Sequence, residues 1–282
     1  MTTLTQDLPG AIGAVRAAGT PESALNPIYR ALPAGEASTV RAEVVDGAAE
    51  GAVEGPELDL LVRQMTAPAV MVLAVEAGGL AHRVRVGIHA DGATVEHSEG
   101  PSDEEPSASR WSECALEVLP RLFADVLPDG SALGAPPRLT VQNRPDTLRL
   151  DAAQLTQLRE LLVAGVDAET AFSRLDGLDP RLQDALTARG DRASLSLTLH
   201  SPDPAHLAQP VSIGRLWNCG QLGIYRTDTP ERPQIEVVAV EPGDVLGTVI
   251  PLLEESIRFA SGLPPTPGDE DPAGTSGEGA RS

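Results

Sequence analysis

The side chains that could do chemistry are few. Five histidines (His82, His89, His97, His200 and His206) and two cysteines (Cys114 and Cys219) stand in 282 residues. His82 and His89 are seven apart in an alternating run, so on a strand they point to opposite faces and do not meet on one metal. His89 and His97 flank Asp91-Gly92, a two-residue hairpin signal, and can approach each other across it. A metal held there needs Asp91 or Glu96 as its third ligand. Exposed hairpin histidines account for the same spacing, so no metal and no cofactor is assigned. His200 opens the segment Ser201-Pro-Asp-Pro-Ala-His206 and reads as a strand end and turn. Cys114 follows Trp111 at an expected helix start, where a thiol pKa can fall. With no histidine partner nearby in the sequence, a small buried hydrophobe is the simpler role. Cys219 falls in the turn Asn218-Cys219-Gly220 and is expected to be exposed and inert.

Wider motifs are absent. There is no glycine-rich phosphate loop, no nucleophile elbow, no HExxH and no CxxC. Aspartate and glutamate together number 41, so any single acid/base pair drawn from them is uninformative. All 21 basic residues are arginine, which removes a lysine nucleophile, Schiff base or phosphate-loop lysine. No set of nucleophile, base and oxyanion donor can be nominated, and the chain does not read as an enzyme. A net charge of −20 argues against phosphate backbones and anionic membranes as partners. Two cysteines are too few for a secreted disulfide framework. No basic-apolar-small leader pattern is seen, and no apolar run approaches the roughly 18 residues of a membrane span. The chain reads as cytoplasmic, without membrane insertion or nucleic-acid binding.

The elements follow from periodicity. Hydrophobic residues make up 41% of the chain but aromatics only 2%, so the core must be aliphatic. A short amphipathic helix around Leu8 to Ala18, a strand at 38–45 and a helical stripe at 57–65 are expected first. Residues 69–75 read as a buried strand, Gly78-Gly79 as a turn, and 82–88 and 94–97 as strands. An acidic loop over 99–109 and a helix carrying Leu116, Leu119, Leu122, Phe123 and Val126 come next. Residues 138–142 are a candidate strand. Helices over 151–164, 167–175 and 179–188 are capped by Asp151, Asp167 and Asp179 and stopped by Gly165, Gly177 and Gly190. Strands at 193–200, 211–217, 223–228 and 234–240 lead through Pro242-Gly243-Asp244 into a helix with Leu246, Val249, Ile250, Leu253 and Ile257. From Ser261 the composition is that of a disordered tail.

Two stretches share a plan. Val118-Leu-Pro-Arg-Leu122 and Val249-Ile-Pro-Leu-Leu253 place a proline at the same point of an apolar stripe, each after a run of strands. The alternative, that each proline begins a shorter helix, leaves the repeat intact. The expected fold is therefore α+β. It has quasi-two-fold, duplicated antiparallel sheet units at about 69–127 and 193–260, each closed by a helix. A helical insert at 151–190 separates them, within one domain spanning 1–260. The first copy lacks a fourth strand, and the acidic loop takes its place. Trp217, Leu222 and Tyr225 on the central hairpin, and Glu104 and Glu105 in the acidic loop, are the candidate contacts for a protein partner.

With repeat and insert in place, the layout resembles the EspG family of ESX (type VII) secretion-associated chaperones of actinobacteria, over roughly residues 50–260. The residues that carry the resemblance are Gly51-Ala-Val-Glu-Gly-Pro-Glu-Leu-Asp-Leu-Leu61 with Pro68, Pro137-Arg-Leu-Thr-Val141, Gly165-Val-Asp-Ala-Glu-Thr-Ala171, and Val237-Val-Ala-Val-Glu-Pro-Gly-Asp244. The first 50 residues are shorter and richer in proline than the family's. The resemblance implies a cytosolic chaperone that binds the tip of PE–PPE-like or WXG100-like helical substrates and keeps them soluble and export-competent. An apolar helical tip aggregates unless covered, and an acidic chaperone stays soluble while covering it. A non-catalytic structural homodimer paired through a sheet edge is the alternative, and an enzyme with a pocket between the repeats is a more distant one.

Overall fold

In the computed structural model the described residues are 2–5, 13, 15, 16, 19, 24–30, 56–103, 108–134, 146–200, 211–228 and 236–263. The expected helix at Leu8–Ala18, most of it, and the expected strands at 38–45 and 138–142 lie outside them, as does the tail beyond 263.

Two β-meanders meet edge to edge. The first runs through β2 (Ala69–Ala77), β3 (Leu80–His89), β4 (Gly92–Pro101) and β5 (Ala108–Cys114). The second runs through β7 (Arg192–Leu199), β8 (Val211–Cys219), β9 (Ile224–Asp228) and β10 (Glu236–Val240). β1 (Thr2–Thr5) closes one edge and β6 (Asp146–Arg149) the other. The result is a ten-stranded sheet in the order β1-β5-β4-β3-β2-β7-β8-β9-β10-β6. Every neighbouring pair is antiparallel. Outward from the β2/β7 seam, each half shows four consecutive strands and then one outer strand that comes from elsewhere in the chain.

Local sequence explains the regular parts. Gly78 and Gly79 have φ of +58° and +82°, the two positive angles that a tight hairpin between paired Ala77 and Leu80 requires. The alternation in β7 becomes the burial pattern itself. Ala193, Leu195 and Leu197 are buried, and Ser194 and Ser196 are exposed.

The even-numbered residues of β3 and the odd-numbered residues of β2 and β7 face one helical layer. It consists of α3 (Leu119–Val126) and α7 (Asp244–Ala260). Met71, Leu73, Val86, Ile88, Leu197 and Trp217 pack there against Leu119, Phe123, Val249 and Leu253. Burying each such side chain is worth about 1.5–3 kcal/mol. Among the described residues, helices cover the opposite face on its wings only. On the first wing lie α1 (Pro27–Arg30) and α2 (Pro56–Met65). There Arg85 pairs with Glu96 at 3.3 Å and donates to the Tyr29 hydroxyl at 2.8 Å, and Thr94 donates to Gln64. On the second wing lie α4 (Ala152–Val163), α5 (Ala168–Ser173) and α6 (Pro180–Thr187). Their Leu158, Ala171, Leu182 and Ala185 pack with Leu148, Tyr225 and Val237 of the sheet.

The three aspartate caps fall where the sequence puts them. Asp151 completes a capping box with Gln154, and Asp167 and Asp179 accept from Thr170 and Arg181 amides. Gly165 and Gly177 take positive φ, but Gly190 does not. Gly190 is needed instead for close approach, since a Cβ there would stand 2.4 Å from the Cys219 carbonyl oxygen.

Three expectations need correction. The first meander does contain a fourth strand. Residues 108–114, read as loop end and helix start, form β5, because pairing with β4 on one side and β1 on the other satisfies their backbone. Glu99 and Pro101 likewise belong to β4 and not to a loop. The two prolines are not equivalent. Pro120 sits in the first turn of α3, after a 3₁₀ turn at Leu116–Val118, whereas Pro251 is interior to α7. The matching kinks are thus not a shared helix geometry, although the order of strands and closing helix is the same in both halves.

Gly87 marks how tightly α2 lies on the sheet. A Cβ there would meet Gln64 Oε1 and Thr94 Oγ1 at 2.8 Å and Ala67 Cβ at 2.9 Å. Gly87→Ala is expected to lower stability by about 1–3 kcal/mol. Urea unfolding should show this as a lower midpoint with an unchanged slope.

Candidate functional site

The histidines do not pair as the hairpin suggested. His82 and His89 do lie on opposite faces of β3, but His89 and His97 do not converge. The His89 Nε2 is 2.8 Å from the Arg63 carbonyl oxygen. Asp91 accepts from Arg63 at 2.6 Å, and Glu96 is buried against Arg85. All the partners imagined for a His89–His97 metal are thereby committed on the α2 side. Burial holds the His89 imidazole below its ordinary pKa. His97 instead lies on the α3/α7 side, stacked on His82 with ring centroids 6.4 Å apart. His200 is buried, and Arg30 donates to its Nδ1 at 2.8 Å. Burial first, and Arg30 second, lower its pKa. It holds α1 to the end of β7. His206 lies outside the described residues.

Neither thiol is poised to react. Cys114 ends β5 rather than starting a helix, and burial raises its pKa. Cys219 is half-buried, and burial together with Asp191 pushes its pKa up to about 11. Both are neutral thiols at pH 7, the unreactive form.

The aromatic contacts expected at a partner surface are interior. Trp217 is 0% exposed and Tyr225 is 2%. The expectation that they touch a client fails on that burial. The sequence showed paired strands with scarce aromatics, but not that a helix or insert covers each face. Trp217 Nε1–H donates to Asp244 Oδ2 at 2.8 Å, and Arg226 Nη1 reaches both oxygens of Asp244 at 3.0 and 2.9 Å. These bonds fasten the start of α7 to β8 and β9. Tyr225 donates its hydroxyl to Asp184 at 2.9 Å. Asp184 also accepts the amides of Gln221 and Leu222 at 2.9 and 2.8 Å, so α6 clasps the β8–β9 turn. Leu222 alone of the three hairpin residues is on the surface, 62% exposed. Glu104 and Glu105 lie outside the described residues.

A cleft of about 590 Å³ opens beside that turn, lined by Leu222, Tyr225, Asp146, Arg181, Glu241 and Asp244 among others. Its charges are largely spent internally. Arg181 pairs with Asp146 at 2.7 Å and Asp179 at 3.1 Å, and Asp244 pairs with Arg226. A second surface was not anticipated. Among the described residues, no helix lies over the centre of the sheet between the two wings. Ser194, Ser196, Ser212 and Leu216 on β7 and β8 are exposed, and Val72, Ala74 and Thr198 beside them are half-buried. The serine alternation in 193–200 was the available signal. It reads equally well as an ordinary solvated face until the helices are seen to stop short of it.

The fold and surfaces define an α+β protein built on one antiparallel sheet, and no helix among the described residues is long and apolar enough to cross a membrane. No family model matches the chain, and no curated protein matches it. Among solved structures it is similar to the Mycobacterium tuberculosis type VII secretion system chaperone EspG5, solved in complex with a PE25–PPE41 dimer. The identity is 11% and the TM-score 0.44, over 94% of this chain and 97% of that one. A likeness at that level assigns neither family nor activity.

Two contacts have direct consequences. Burial raises the Asp184 pKa, but the amides of Leu222 and Gln221 and the Tyr225 hydroxyl outweigh it and hold the carboxyl below its ordinary value. A depressed folded pKa stabilises the fold above the unfolded value of 3.8, and that contribution drains away as pH falls through the folded value. The stability gap between the parent and Asp184→Asn should therefore narrow from neutral pH to about pH 3 in urea titrations. Asp244→Ala leaves the buried Trp217 indole N–H without its acceptor, while Arg226 keeps its pairing with Asp228 at 3.1 Å. It is expected to cost about 1–3 kcal/mol, readable as a lowered denaturation midpoint.

Proposed function

We propose that the protein is a non-catalytic, cytoplasmic chaperone-type binding protein. It covers the apolar end of a helical type VII secretion substrate of the PE–PPE or WXG100 kind. We further propose that its two meander-plus-helix halves are copies of one duplicated framework. The sequence resemblance over residues 50–260 supports the substrate class. The observation that carries the reading is the open centre of the sheet. Ser194, Ser196, Ser212 and Leu216 form a strip of small and apolar side chains between the helical wings, bounded at one end by the Arg192–Glu76 ion pair and beside Ala74 by Arg83, in a chain of net charge −20. A helical tip laid on the serine and aliphatic centre of that strip buries apolar surface against small side chains, with Arg83 and the Arg192–Glu76 pair left at its polar margin. The repulsion among the remaining acidic groups keeps the complex from associating further.

Size-exclusion chromatography and calorimetry with a purified PE–PPE heterodimer test this. A 1:1 complex is expected, and Ser196→Arg, at the centre of the strip, should weaken it at least tenfold while circular dichroism stays unchanged. Leu222→Asp, on the hairpin away from the strip, should change it by less. Absence of a complex with any such substrate, together with a stable dimer of the chain alone, would overturn the chaperone reading in favour of a structural homodimer.

A further inference from the structure

We propose that His82, His97 and Glu99 form a binding site for a divalent transition metal of the zinc class. Among the described residues these three bring one ligand atom each to within 4.8 Å of one another. The sheet sets this spacing. His82 on β3 is the direct cross-strand partner of Glu99 on β4. His97 is two residues before Glu99, and so on the same face. Side chains on neighbouring strands in that relation stand near enough for imidazole and carboxylate arms to converge by rotamer changes alone. The His82 and His97 rings are already near-parallel at 17°, and His82 Nδ1 is 3.9 Å from a Glu99 oxygen.

A second observation points the same way. The Nε2 of His97 is a buried atom with no hydrogen-bond partner. A buried nitrogen left unpaired is costly, and a ligand removes the cost. The site lies where the aliphatic core ends. Val84 pairs with His97 and is followed toward the β2–β3 turn by His82, so apolar residues wall one side. The other side is open to solvent, with His82 26% and Glu99 47% exposed. A metal can therefore enter.

The donor set selects the metal. Two imidazoles and one carboxylate suit zinc and its first-row neighbours and do not suit Mg²⁺ or Ca²⁺, which take oxygen. Three protein ligands leave a position for water or a further ligand. One group opposes the cation. Arg110 on β5 is the cross-strand partner of His97, and its guanidinium repels a dication. The site is accordingly one of moderate affinity.

The test is a Co²⁺ titration of the full, tag-free chain in excess Mg²⁺, followed by visible absorption and by competition with Zn²⁺ in calorimetry. One equivalent is expected, with ligand-field bands that Zn²⁺ abolishes. His82→Ala, His97→Gln and Glu99→Gln should each weaken binding at least tenfold, whereas His89→Ala, on the other face of β3, should not. Arg110→Gln should tighten it. If His97→Gln fails to fold by circular dichroism, His82→Ala, at the more exposed end, decides alone. Absence of Co²⁺ bands overturns the proposal, as does binding of equal strength in His82→Ala and the parent chain.

Discussion

The structure depends on one seam. β2 and β7 pair over eight residues, from Ala69 opposite Leu199 to Glu76 opposite Arg192. Among the described residues this is the only ladder that joins the two meanders directly, and it brings together segments more than a hundred residues apart. Its inward side chains, Met71, Leu73 and Val75 with Ala193, Leu195 and Leu197, are buried almost without exception. An ion pair between Arg192 and Glu76 at 2.5 Å closes one end. Without the seam each half would expose a long apolar strand edge, the feature that invites aggregation. Slippage by one residue would turn every apolar side chain of β7 toward solvent, so the register is strongly specified.

From the seam outward the two faces of the sheet have different fates. α3 and α7 cover one face along the seam, and the core runs continuously beneath them. Two unrelated helical groups cover the other face, α1 and α2 over the first meander and α4 to α6 over the second. Polar contacts secure each group at the point of closest approach. Arg85 with Glu96 and Tyr29 does so under α1, Thr94 with Gln64 under α2, and Asp184 with Tyr225 under α6. Because neither group reaches the middle, a strip of serine and small apolar side chains remains open between them. Trp217 and Tyr225 thus serve as internal fastening, and the strip left between the wings presents mainly aliphatic and hydroxyl side chains.

Much of this was legible in the chain. The alternation in 193–200 and 82–88, the Gly78-Gly79 turn and the three aspartate caps each encode a structure that depends only on near neighbours in sequence. So does the helical stripe through Leu246, Val249 and Leu253. β5 and β6 were not legible, because 108–114 and 146–149 carry weak patterns and become strands only by pairing with edges already formed. Pro120 and Pro251 look alike in sequence. They differ in the structure because a 3₁₀ turn resets the helix start before Pro120, while α7 begins seven residues before Pro251.

The residues of chemical interest divide along the same line. The sequence by itself determined the α+β class, the two runs of strands each closed by a helix, the helical insert, and the face on which residues of the strongly alternating strands, such as 82–88 and 193–199, stand. Those follow from periodicity and capping, which are local. Only the tertiary structure decided that Trp217 and Tyr225 are buried and that His97 meets His82 and Glu99 instead of His89. It also decided that, among the described residues, no helix covers the middle of one sheet face. Each of these depends on which layer lies over a face and how far it extends, and distant segments in contact set that.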